Sequence, residues 1–210
     1  MEEKGVNGIS EQYGERVAQF NKVTAVLTPA PVQGAVSMEM IVKHLKPTFA
    51  EKQELMVFLT SNKEYCQQCV ESKDYLTFFT EEGIRDFMDD GNIVDLIADQ
   101  MEKLSREERL EALKRMQRMM EAGEVHAQLI RPGLLNMPRD FYMTFYENGQ
   151  SDIIFRTSGK QWRVLQIHEK SLGISFGRFI RFLPECPQVC TAEESCQFVR
   201  EMVEEYTRRL

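Results

Sequence analysis

Residues 140–168 read DFYMTFYENGQSDIIFRTSGKQWRVLQIH, and their pattern decides the fold. Aromatic and β-branched residues fill three runs, broken at Asn148-Gly149 and again at Ser158-Gly159. Such side chains suit a pleated, half-buried surface. Asn-Gly is the pair that a two-residue type I′ hairpin turn demands, because both central residues need positive φ. The stretch is therefore expected to form a three-strand antiparallel meander over about 140–168. A two-residue turn also sets a register, with Glu147 opposite Gln150, Phe145 opposite Asp152, Met143 opposite Ile154 and Phe141 opposite Arg156. Tyr142, Thr144 and Tyr146 then share the other face with Ser151, Ile153 and Phe155. Large apolar groups stand on both faces, at about 25 cal/mol for each Å² left in water, so helices are expected on both sides. The fold class that follows is mixed α/β, a mostly antiparallel sheet flanked by helices.

Upstream of this stretch the punctuation is mostly helical. Met1–Ser10 is polar with two glycines and reads as a tail. Val17, Phe20, Thr24 and Leu27 suit a helix ending before Pro29, while the run Val23-Thr24-Ala25-Val26 equally suits an extended strand. Ser37 caps a short helix that Pro47 stops. Phe49–Glu71 is expected as a long amphipathic helix, with Leu55, Phe58, Leu59, Cys66, Cys69 and Val70 on one stripe. A strand is expected at Tyr75–Phe79, then a helix capped by Thr80 and closed by a left-handed Gly91. Ile93, Leu96, Ile97, Met101 and Leu104 keep helical spacing; Ser105 and Glu108 form a capping box for a helix ending at Gly123, and Val125–Ile130 alternates as a strand. Downstream, Leu172, Phe176, Phe179, Ile180 and Leu183 favour a helix in which Gly173 and Gly177 permit close approach, although the same letters also alternate as a strand. Thr191 and Glu194 cap a last helix carrying Cys196, Val199, Val203 and Tyr206. One division suggests itself, near Gly34, between an N-terminal arm (1–34) and a single α/β unit (35–210).

The chain has 210 residues, 42% of them hydrophobic, and a net charge of −7. From Glu124 onward 11 basic residues balance 11 acidic ones, so the whole acidic excess lies in the first 123 positions. An acidic chain without a basic cluster is a poor partner for nucleic-acid phosphates or anionic lipid. The roughly 20 consecutive apolar residues that cross a bilayer are absent, as is a basic flank followed by an apolar leader. A cytoplasmic location is expected, and the five cysteines fit a reducing compartment.

Catalytic signatures are sparse. No GxGxxG, GxxxxGKS or GxSxG occurs, and no cofactor is expected. Cys66 and Cys69, with Cys186, Cys190 and Cys196, have thiolates enough for zinc, but the first pair sits mid-helix without the turn of a zinc knuckle, so the thiols read as incidental and no metal is expected. His44 and His126 have no companion at ligand spacing. His168-Glu169-Lys170 resembles the start of the HxKxxxxD motif of the phospholipase D superfamily. That resemblance implies His168 as nucleophile and Lys170 as phosphate holder. Ser175 stands where the motif has Asp, however, and its downstream Gly-Ser and Asn are missing. The alternative is a histidine at a strand end followed by helix-opening residues. A cleft at the sheet edge lined by Tyr142, Tyr146, Phe155, Arg156, Trp162 and Arg163 would offer aromatic walls and two cations to a small anionic or aromatic ligand.

The segments FLTSNKEYCQQC (58–69), FFTEEGIRDFM (78–88), FYENGQSDIIFRTSGKQWRVLQIHE (145–169) and TAEESCQFVREMVEEY (191–206) resemble the C-terminal half of helix-turn-helix transcriptional regulators of anaerobic Firmicutes. The resemblance covers roughly the last 150 residues. It implies a non-catalytic regulatory domain, distantly like one phospholipase-D half, that senses a signal or holds a homodimer together. Those regulators carry a basic DNA-binding domain in front. The first 35 residues here are too few and too acidic for one, so this chain is not expected to bind DNA. The competing expectations are a phosphodiesterase using His168 and Lys170, and a protein-interaction module presenting its acidic helices.

Overall fold

The computed structural model describes residues 23–28, 31–32, 34–47, 76–91, 93, 98, 100–133, 141–146, 149–156 and 162–210. The tail, the helix expected at 49–71 with Cys66 and Cys69, and the second turn at 158–159 lie outside the described residues.

Capping signals act as expected because they are local. Ser37 accepts a hydrogen bond from the Met40 N–H and opens α1, Met38–His44. Thr80 does the same for α2, Glu81–Asp90, which ends on Gly91 at φ +70°. Ser105 and Glu108 complete a reciprocal box at the start of α3, Arg106–Glu121. Lys170–Phe182 is a helix, α4, and not the alternative strand. Glu169 decides this by accepting hydrogen bonds from the Ser171 and Leu172 N–H groups, offsetting donors that a helix leaves unpaired. A 3₁₀ turn, Leu183–Glu185, leads on, and Thr191 with Glu194 caps α5, Ala192–Arg209.

The strands are β1 Val23–Leu27, β2 Leu76–Thr80, β3 His126–Ile130, β4 Phe141–Tyr146, β5 Ser151–Arg156 and β6 Trp162–Ile167. They form one six-stranded sheet in the order β3-β2-β1-β4-β5-β6. The sheet is mixed: β1 runs parallel to β2 and β2 to β3, while β1–β4, β4–β5 and β5–β6 are antiparallel. The parallel half departs from the mostly antiparallel expectation because α2 and α3 form a crossover between β2 and β3, which only parallel strands need. Val23–Leu27 takes its extended option and is a central strand, between β2 and β4.

The hairpin register is shifted by one residue from expectation. Phe145 faces Ser151, Thr144 faces Asp152, Met143 faces Ile153 and Phe141 faces Phe155. The Tyr146 N–H donates to the Gln150 carbonyl and the Gly149 N–H to the Tyr146 carbonyl, so three residues separate the strands. A three-residue hairpin loop closes on a left-handed residue, and Gly149 takes that place at φ +84°. The Asn-Gly signal marked the reversal correctly and the loop length wrongly.

Cores form on both faces. On the front, Val26, Phe79, Ala127, Leu129, Tyr142 and Tyr146 share a cluster with Ile41 of α1, Phe87 of α2, Leu113 and Met116 of α3, and Val199 and Met202 of α5. On the back, Ala25, Leu27, Phe78, Ile130, Met143 and Phe145 pack with Ile180 of α4 and Leu183 beyond it. Gly173 is buried where a Cβ would overlap the Gly149 carbonyl oxygen, which gives its lack of a side chain a physical cause. Among the described residues no helix is long and apolar enough to cross a membrane.

Candidate ligand-binding site

The corrected register brings polar residues into line on the front face. Thr77 pairs with Val26, Val26 with Thr144, Thr144 with Asp152, and Asp152 with Gln166. One row across five strands thus reads Thr-Val-Thr-Asp-Gln. Thr77 and Thr144 are fully buried and Asp152 is only 4% exposed. The hydroxyls of Thr77 and Thr144 lack hydrogen-bond partners. Leaving such a group unpaired in an apolar interior costs about 1–3 kcal/mol, so each calls for an explanation beyond packing.

A second polar row adjoins the first at the hairpin end. The Tyr146 hydroxyl donates to Asp152 Oδ2 at 2.8 Å, reaching diagonally between rows. Gln150 Nε2 lies 2.8 Å from His168 Nδ1. The Gln150 amide has both a donor and an acceptor to offer the ring nitrogen. Burial falls away along this corner: Asp152 and Tyr146 are buried, Gln150 and Gln166 half-buried, and His168 exposed. The result is a carboxylate with a phenol above it, two amides beside it and an imidazole at the rim, a set suited to gripping a small polar ligand by hydrogen bonds.

The six residues expected to line one cleft are divided. Tyr142 and Tyr146 are buried on the front face, whereas Phe155 pairs with Phe141 and Arg163, and Arg156 with Trp162. Faces alternate at every residue of a strand, so the Phe155 and Arg163 positions fall on the face opposite the tyrosines. A two-residue turn sets Asp152 against Phe145, so the sequence alone does not bring Thr144, Asp152 and Gln166 into one row. Thr144 stands out as a small polar residue in FYMTFY, but Asp152 and Gln166 share their strands with other polar residues, Ser151 and Arg156 in one and Arg163 in the other, so the sequence does not single them out. Of the phosphodiesterase residues, His168 is exposed at the end of β6 and Lys170 opens α4. Between them Glu169 is occupied as the helix cap, and the Ser175 hydroxyl donates to the Ser171 carbonyl at 2.9 Å.

No protein-family model, curated protein or solved structure matches this chain. The chemistry of the corner therefore carries the functional reading.

Other ionisable clusters serve packing. A cavity of about 120 Å³ is lined by Met88, Asp89, Arg106, Tyr206, Arg209 and Leu210. That is well below the ~300 Å³ at which ligand pockets begin. Burial, then the hydrogen bond to Asp89 at 2.9 Å, pushes the Tyr206 phenol up to about 12. Among the described residues no three His, Cys, Asp or Glu side chains are placed to hold a metal ion, and Cys186, Cys190 and Cys196 are free thiols. His44 is held by Glu108 at 2.8 Å, and His126 is exposed on β3.

Proposed function

We propose that this chain is a regulatory module of a bacterial transcriptional regulator, which senses a small ligand at the β4–β5–β6 corner and makes or breaks no bond in it. Its likeness to the C-terminal half of such regulators suggests the role. The observation that carries the reading is the buried Asp152 carboxylate, bonded to Tyr146 and set in a row with hydroxyls lacking partners. A buried carboxylate favours a ligand offering a cation or several N–H donors, an amine before an anion. The anionic ligand expected from Arg156 and Arg163 ranks below it, because those positions do not share one face.

The test is a thermal-shift screen of the whole chain against small amines, amino acids and organic anions. A ligand at about 100 times its dissociation constant adds about 2.7 kcal/mol to stability. The expected hit carries an amine, and Asp152→Asn abolishes its shift while the variant stays folded by circular dichroism. Stabilisation by anions alone, or a shift indifferent to Asp152→Asn, contradicts the proposal.

A further inference from the structure

The two faces of the sheet are covered unequally. Four helices pack on the front, whereas among the described residues the back carries one α-helix, α4, with the 3₁₀ turn and loop that follow it. A helix is about 10 Å across and strands lie about 4.8 Å apart, so one helix covers about two strands. Burial follows that arithmetic. On the back face Ala25, Leu27, Phe78, Met143 and Phe145 are buried, whereas Ile153, Phe155, Leu165 and Ile167 of β5 and β6 remain half-exposed.

The outer surface of α4 mixes large apolar side chains with serines and arginines. Leu172, Ile174, Phe179 and Phe182 are exposed there, Phe182 to 56%. Leu172, Ser175, Phe179 and Phe182 recur at spacings of three, four and three, the period by which one helix packs along another. Arg178 and Arg181 stand exposed along one margin of this seam. Among the described residues neither meets a carboxylate, and the Arg181 Nε donates only to the Gly177 carbonyl of its own helix.

We infer that this seam, with the half-exposed residues of β5 and β6 on the same face, docks a helix of a partner protein that is apolar on one side and acidic along its margin. The charge argument selects the occupant. Two unpaired guanidinium groups beside an apolar stripe complement carboxylates flanking a matching stripe. A second copy of this chain is the poorer fit: antiparallel pairing centred on the seam sets Arg178 beside its own symmetry mate. The inference is independent of the polar corner, which lies on the other face.

The test uses the whole chain and two labelled synthetic helices of roughly 20 residues, long enough to run the length of α4. Both carry leucine at the seam spacing, one with glutamate margins and one with lysine margins. Fluorescence anisotropy at low salt is expected to show the glutamate peptide binding about tenfold or more tighter than the lysine peptide. Phe179→Ser with Phe182→Ser weakens it by a similar factor, and Arg178→Glu with Arg181→Glu reverses the preference. These positions are exposed, and circular dichroism confirms that the variants fold. Equal binding of the two peptides, no binding, or indifference to the substitutions overturns the inference. So does self-association of the chain that Phe179→Ser abolishes, which assigns the seam to a second copy. Capture by anionic-lipid vesicles in place of the peptide assigns it to a membrane and overturns it equally.

Discussion

Replacing Glu108 by Gln removes one negative charge at the meeting point of two helices while keeping an acceptor for the capping box. In the native chain the two carboxylate oxygens take hydrogen bonds from His44 Nε2 at 2.8–2.9 Å, from Lys43 Nζ at 2.5 Å and from the Ser105 N–H at 2.9 Å. These contacts, His44 first and Lys43 second, hold the Glu108 carboxyl down from its ordinary 4.5 to about 2. A depression of that size corresponds to at most about 3 kcal/mol. The Lys43 side chain is 67% exposed and its share is screened by water, so about 2 kcal/mol is expected. A carboxyl whose pKa is lower folded than unfolded stabilises the fold fully above the unfolded value, and that contribution is lost as pH falls toward the folded one. Urea unfolding should therefore show Glu108→Gln about 2 kcal/mol less stable than the native chain at pH 7, and the gap should shrink to less than half by about pH 3. Glu194 is the internal control. It completes the same kind of box with Thr191, but among the described residues the cation beside it is Arg131 alone, at 3.4 Å and in the open. Glu194→Gln should cost clearly less than Glu108→Gln, because its partner charge is screened by water. Equal costs at the two glutamates, or a Glu108 gap that does not narrow in acid, refutes the claim that His44 and Lys43 bind α1 to α3 through this carboxylate.

Two further outcomes follow from geometry. Gly173→Ala forces a Cβ into the Gly149 carbonyl oxygen and should cost about 2–4 kcal/mol, whereas Gly177→Ala, whose Cβ would meet only Arg181 Nη2 at 3.9 Å, should be neutral or stabilising by about 0.5–1 kcal/mol. Urea midpoints of the two variants distinguish a required close approach from a mere helix glycine. A phosphodiesterase assay on single-stranded DNA and on a chromogenic phosphodiester should find no turnover that His168→Ala removes; turnover lost on that substitution would restore the enzymatic reading.

How much was legible depended on how local the cause was. Ser37, Thr80, Ser105 with Glu108, and Thr191 with Glu194 announced their helices because a cap is decided within four residues. Gly91 announced a helix end for the same reason. The segment at Val23–Leu27 carried both periods, and its outcome rests on partners 50 and 120 residues away, β2 and β4, which no local pattern can weigh. At the candidate site the difference from expectation lies in a single step, the register of one hairpin. Asn148-Gly149 identified a turn, yet two-residue and three-residue loops both accept glycine at the end, and one residue of difference exchanges every cross-strand neighbour. Asp152 thereby moved from beneath Phe145 to beneath Thr144, beside Tyr146, and a polar row emerged where an aromatic cleft with arginines had been expected.

The central claim is that the polar corner is a binding site, and calorimetric titration of the amine found by the screen tests it most directly. Native chain, Asp152→Asn and Thr144→Val should be compared at one temperature and salt concentration. The account predicts that Thr144→Val leaves the unliganded fold as stable as before or up to about 1 kcal/mol more so, because its hydroxyl has no partner there. Both substitutions should weaken binding about tenfold or more. Unchanged affinity in both variants, with the fold intact, would contradict it.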